Sequence, residues 1–316
     1  MALSAFDSVH RGLVNTRANW ELIFFQWLQV LLVTILSVAG LLPPLVALGF
    51  ARPSDLTSII SDRSAMLAGA TELVDRGRDA WLLLLASLVV ASAIWFVAAM
   101  VYCYFQGGIY GILMSGDRQA PSGRPHGSQW FKTFSCSDLR GWGSHFMWRY
   151  FWLLNLVVAV SMAWLIVPLV LVLAAFWGGE LWGGGASFAI GCAGAIPVAF
   201  SLLILLVWAY VVQATLAAQD GGVWQAMKSS LQVLGRRLGA VLFIFLLVIL
   251  GSGLVSFGIW VISTAGALML GRWEFVGLAW QLALTMTQWI FTTAVGIASA
   301  AALVGLVRSE MSGEPA

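Results

Sequence analysis

A chain of 316 residues that is 60% hydrophobic and only 9% charged cannot cover its own surface with groups that water solvates, since soluble domains carry about 25% charged residues. The bilayer is the solvent that such a composition fits. A formal net charge of +2, with no basic stripe interleaved with aromatics, argues against nucleic acid as a partner.

In residues 1–20, Leu3, Phe6, Val9, Leu13 and Val14 fall on one helical face, which predicts a helix lying along the membrane surface. Charge-free runs then locate six spans, over residues 22–48, 81–104, 151–176, 188–212, 238–264 and 280–307. Each run is long enough for one crossing, which takes roughly 20 apolar residues, and too short for a comfortable pair. The runs are continuously apolar, so helices are expected and a barrel is not. The first is longer than the apolar core of a cleaved signal peptide and reads as a retained span.

Between the first two spans, Leu56, Ile59, Ile60, Met66, Leu67, Leu73 and Val74 share a face, and Ser54 is placed to cap, which predicts a second surface helix. Trp20, Trp81, Trp152, Trp177, Trp182, Trp273 and Trp280 cluster near span ends, where amphipathic rings settle. The fold expected is an all-α integral membrane protein, a single polytopic domain over residues 1–316, with amphipathic helices in the loops and at the N-terminus.

Lysine and arginine set the orientation. With a cytoplasmic N-terminus, Arg11, Arg17, Arg118, Arg124, Lys132, Arg140, Arg149, Lys228, Arg236, Arg237 and Arg308 lie inside. Only Arg52, Arg63, Arg76, Arg78 and Arg272 lie outside. This asymmetry predicts that both termini are cytoplasmic.

The stretch "DGGVWQAMKSSLQVLGRR", residues 220–237, is too polar to cross a bilayer. Trp224, Met227, Leu231 and Leu234 recur at helical spacing, and Gln225, Lys228, Ser229, Gln232 and Arg236 take the other side. Asp220 and two glycines signal the start. The apolar face is expected to bury against lipid or the bundle, while Lys228, Arg236 and Arg237 meet anionic headgroups. The second loop holds a shorter echo: "GSQWFKTFS" against "GGVWQAMKS", each after a span rich in Trp and Tyr and before a basic turn. The two suggest an internal repeat of span, surface helix and span.

The run "WAYVVQATLAAQDGGVWQAMKSSLQVLGRRLGAVLFIFLL" resembles a segment of polytopic bacterial proteins related to the membrane region of glycerophosphoryl diester phosphodiesterases and to sister domains of unknown function. Those share a span, an acidic-glycine turn, a surface helix ending in basic residues, and another span. The resemblance implies a six-helix membrane domain. It does not imply phosphodiesterase activity, since the enzymes carry a soluble catalytic barrel for which this chain has no room.

Residues with chemistry are sparse. No charge sits mid-span, which argues against an ion-coupled pump. The span polar residues are Gln26, Gln29, Asn155, Gln213, Gln281, Thr285, Thr287 and Gln288; most are expected to bridge helices. Asn155, Gln213 and Gln288 are the candidates for a polar cavity. His10, His126 and His145 have no partners at metal-ligand spacing, so no metal or cofactor is expected. Cys136, Asp138 and His145 are neighbours in sequence only, and a catalytic set is recognised by geometry. Cys103 and Cys192 read as buried small residues. Gly107, Gly111, Gly191, Gly194, Gly296, Ala300 and Ala301 permit close helix approach, while Pro43, Pro44, Pro168 and Pro197 end or kink helices. These features favour a non-catalytic scaffold or accessory protein that contacts membrane lipids, with a protein partner or a second copy as further partners. The alternative is a transporter or channel for a small neutral or lipidic solute.

Overall fold

The computed structural model describes residues 3–47, 81–121, 127–182, 184–270 and 274–311, with side chains left out over 167–169, 171–197 and 267–270. Among the described residues the fold is all-α. Helix α1 is Ala5–Ala18, α2 Glu21–Ala47, α3 Trp81–Gln119, α4 Cys136–Trp182, α5 Gly184–Gln219, α6 Val223–Leu270 and α7 Glu274–Met311. Six of the seven, all but α1, are long and apolar enough to cross a membrane, as the continuous apolar runs require once each backbone N–H must find its partner within the chain. The surface helix expected over residues 56–74 lies outside the described residues.

At 47 and 48 residues, α4 and α6 are about 70 Å long, well over twice the hydrocarbon thickness. Each is therefore longer than one crossing requires. Helix α6 bends at Arg237, whose φ of −126° and ψ of 24° are not helical. The amphipathic segment 223–236 ends there and the span begins. In the second loop the expected echo takes a different form. Ser128–Phe131 is one turn of 3-10 helix, and regular helix starts only at Cys136. The two matched peptides are thus not equivalent elements. Pro43 and Pro44 lie in the last turns of α2, which ends at Ala47.

The chain divides into two compact units, Leu28–Tyr102 and the combination of Met1–Trp27 with Cys103–Ala316. In the first, Trp95 packs against Gly40 and donates its indole N–H to the Ser37 carbonyl at 3.2 Å.

In the second unit, α1 packs on α7, α4 on α5, and α6 on both α5 and α7. Gly107, Gly108 and Gly111 lie along α3 where Phe146, Leu139 and Trp142 of α4 press on the backbone. These glycines serve packing within the chain, and Ala300 and Ala301 of α7 are likewise buried. Helix α1 docks through its small and polar face. Its buried face is Ser8, Arg11, Gly12, Asn15, Thr16 and Ala18, while Phe6 and Leu13 point outward. Gly12 sets the approach: a Cβ there would stand 2.5 Å from the Ala298 carbonyl oxygen and 2.7 Å from the Ala302 nitrogen. A small, polar face fits against another helix backbone, and Phe6 and Leu13 are left exposed.

Candidate functional site

The chain's charges gather where α1, α3 and α7 meet. Asp117, almost fully buried, takes hydrogen bonds from Arg11 Nε (3.1 Å) and Nη2 (2.9 Å) and from Arg308 Nη1 (2.9 Å). Arg308 also donates to the Asp117 carbonyl. Arg11 is buried as well; its Nη1 reaches the Pro121 carbonyl at 2.9 Å, and its guanidinium lies 5.3 Å over the Phe131 ring. One turn away, Asn15 donates to the Leu113 carbonyl at 3.0 Å. Asn19 donates to the Phe131 carbonyl at 2.7 Å and accepts from the backbone N–H groups of Thr133 (3.0 Å) and Phe134 (2.9 Å). Lys132 pairs with Glu21. The non-helical segment after the 3-10 turn is thereby held by side chains of the α1–α2 corner, which supply the hydrogen bonds a strand or helix would otherwise provide.

A second set of ties orders the amphipathic segment of α6. Asp220 adopts φ +51°, a left-handed conformation that aspartate tolerates, and it closes α5 as a C-terminal cap. Its carboxylate sits 2.7 Å from His145 Nε2 and 2.5 Å from Arg149 Nη1, both on α4. Partial burial works to raise the Asp220 carboxyl, but the hydrogen bonds and charges of His145 and Arg149 outweigh it. They hold the group below its ordinary value of 3.8.

The tie is therefore complete above that pH and is lost as the pH falls below it. Asp220 is nearly half exposed, so its contribution is modest. Asp220→Asn is expected to show at neutral pH the faster hydrogen exchange of residues 219–223 that the native chain shows only in acid. Equal protection of the two chains at pH 7 would remove this role.

Within the segment, Ala226, Ser230 and Val233 are buried, and Ser230 Oγ receives the Trp208 indole N–H at 3.2 Å. Trp224 and Leu231 are 66% and 59% exposed, and Met227 and Leu234 are half-buried. Lys228 Nζ lies 5.7 Å over the Trp224 ring. The structure separates the three basic residues that the sequence grouped together. Arg237 Nε bonds Glu310 of α7 at 2.8 Å and fixes the hinge, Arg236 reaches the same carboxylate at 3.5 Å while 72% exposed, and Lys228 is free of acidic partners among the described residues. Leu234 sits at an apolar groove of about 580 Å³ between α5 and α6, shared with Phe200, Leu203, Val207, Leu238 and Leu242.

The three span amides occupy separate helices. Asn155 is exposed on α4 and donates to the Phe151 carbonyl of its own helix at 2.8 Å. Gln213 of α5 is half-buried, and its backbone carbonyl accepts the Tyr150 hydroxyl at 3.0 Å. Gln288 of α7 donates to Ser256 Oγ of α6 at 3.0 Å and lines a cleft of about 490 Å³ with Ser263, Gln281 and Thr285. Elsewhere, Gln106 and Gln26 bridge α3 and α2 at 3.3 Å. Cys136, Asp138 and His145 are not joined: Asp138 accepts from Ser135 and His145 meets Asp220. Cys103 is buried and free, and Cys136 is exposed.

No family model matches the chain, and neither does any curated protein or solved structure.

Sequence reasoning missed the Arg11–Asp117–Arg308 cluster. Each of the three stands just outside a charge-free run or in the N-terminal segment, where a loop charge is expected to be solvated. The signal available was Gly12 beside Arg11: glycine in an amphipathic helix marks close packing of the polar face.

Proposed function

We propose that the protein is a non-catalytic scaffold or accessory subunit of a bacterial inner membrane, with both termini cytoplasmic, that engages lipid through amphipathic helices. The observation that carries this reading is the outward display of large apolar residues by two helices docked through their small faces: Phe6 and Leu13 on α1, Trp224 and Leu231 on α6. An interfacial helix buries such residues at the headgroup boundary. The arginine and lysine asymmetry supports the orientation, and the resemblance to phosphodiesterase-associated membrane regions is proposed as kinship of architecture without their hydrolytic activity.

Burying a side chain such as leucine contributes about 1.5–3 kcal/mol, against about 1 kcal/mol for a basic residue near an anionic leaflet. Trp224→Ser with Leu231→Ser should therefore lower thermal stability in anionic bilayers more than Lys228→Gln with Arg236→Gln. It should also release copurifying lipid and protein partners. Topology is read in the same membranes by impermeant thiol labelling at Ser4→Cys and Ser312→Cys, with Cys103, Cys136 and Cys192 replaced. If the apolar pair changes neither stability nor what copurifies, the lipid-engagement reading is wrong; labelling from outside reverses the orientation.

A second reading, passage of a small neutral solute, is favoured by one observation: the uncharged polar cleft between α6 and α7.

A further inference from the structure

The α6–α7 cleft combines two polar rows. Ser256, Trp260 and Ser263 share one face of α6; Gln281, Thr285 and Gln288 share the facing side of α7. Gln281 lies about 10 Å along α7 from its start at Glu274, so the cleft sits in the half of these spans remote from the α1–α3–α7 charge cluster.

Its hydrogen-bonding capacity is only partly used. Gln288 Nε2 is committed to Ser256, and the Thr285 hydroxyl donates to the Gln281 backbone carbonyl at 2.8 Å. The Gln281 side-chain amide and the Ser263 hydroxyl have no partner among the described residues. The Gln288 carbonyl oxygen and the Thr285 oxygen keep accepting capacity. These free donors and acceptors open on the cleft near the ends of the two spans, where a polar occupant can pair with them.

The cleft's chemistry selects the occupant. No ionisable side chain lines it, so a phosphate, carboxylate or ammonium would enter without a counter-charge. It offers neutral donors and acceptors together with the exposed Trp260 ring, which stacks on Phe257 at 6.0 Å and presents an apolar platform. A volume of about 490 Å³ falls within the range of ligand sites, roughly 300–1,000 Å³.

We propose that this cleft binds an uncharged polyol, a glycerol or hexose unit, either as the headgroup of a neutral lipid or as a free solute. This deepens the solute-passage reading by naming its ligand class, but binding without passage would leave the proposal standing.

The test uses the full chain in nanodiscs doped with diacylglycerol, monoglucosyl-diacylglycerol or phosphatidylglycerol, with retained lipid counted by native mass spectrometry. Glucose and glycerol, added in water, form the second arm, read by saturation-transfer NMR. Gln281→Leu with Ser263→Ala replaces exposed polar groups by apolar ones, and the fold should hold, with an unchanged melting temperature. The expected result is selective retention of a neutral polyol in either arm, reduced on the order of tenfold in the double variant, the effect of one or two lost hydrogen bonds. Retention in the lipid arm alone assigns the headgroup, and retention in the aqueous arm alone assigns the free solute. Three results would overturn the proposal: no neutral polyol retained in either arm, equal retention by variant and native chain, or preference for phosphatidylglycerol. Flux of glycerol into vesicles is measured separately and bears only on passage.

Discussion

Asp117→Leu is expected to destabilise the protein by about 3–5 kcal/mol, because it leaves Arg11 buried without its counter-charge. Both side chains of that pair are at most 5% exposed, so water cannot take over the role of the lost carboxylate. Arg308→Gln removes the other arm of the cluster and should matter less, about 1 kcal/mol, since Arg308 is 37% exposed and partly solvated already. Arg11→Met added to Asp117→Leu should recover much of the loss, because an apolar pair of similar size can replace a buried ion pair. Thermal unfolding in a single detergent measures all four chains. If the double variant is as unstable as Asp117→Leu alone, the damage comes from shape and not from a stranded charge.

Asn19→Leu is expected to cost about 3 kcal/mol or more. It strands the Phe131 carbonyl and the N–H groups of Thr133 and Phe134 at once, and each unsatisfied buried group costs about 1–3 kcal/mol. Asn15→Ala, which removes the bond to the Leu113 carbonyl and the one accepted from Asn19 Nδ2, should cost less, since Asn19 keeps its bonds to the Phe131, Thr133 and Phe134 backbone. A second readout separates local from global effects. Asn19 pins the chain directly after Lys132, so the leucine variant should be cut by trypsin at Lys132 well below its melting temperature. An uncut Lys132 with an unchanged melt would show that the 3-10 segment holds itself.

The six spans were legible because hydrocarbon leaves little choice: a long apolar run must be a helix that satisfies its own backbone. The hinge into α6 was legible too, since Gly235, Arg236, Arg237 and Gly239 interrupt the apolar pattern where Arg237 leaves helical geometry. What could not be read was which face turns inward. In water an amphipathic helix buries its large apolar residues. Beside a membrane, Trp224, Leu231, Phe6 and Leu13 can stay outside, and Ala226, Ser230 and Gly12 make the contacts. Hydrophobic periodicity finds the helix and its apolar face, but the small residues that make the protein contacts leave no such mark. The polar cleft was half visible. Gln288 stood out as one amide in an apolar run, but its partner Ser256 lies on another helix, and only the packing of α6 on α7 brings the two together.

The seating of α1 on α7 has a consequence for biosynthesis. Helix α1 finds its main partner in α7, which is made much later. About 300 residues separate Arg11 from Arg308, and at roughly 5–20 residues per second α1 waits on the order of 15–60 seconds for the surface on which Gly12 fits. Through that interval Arg11 can meet Asp117, already made, but Arg308 has yet to arrive. Synthesis of α7 is thus what seats α1. A polypeptide truncated before α7 is expected to leave α1 without the surface on which Gly12 fits.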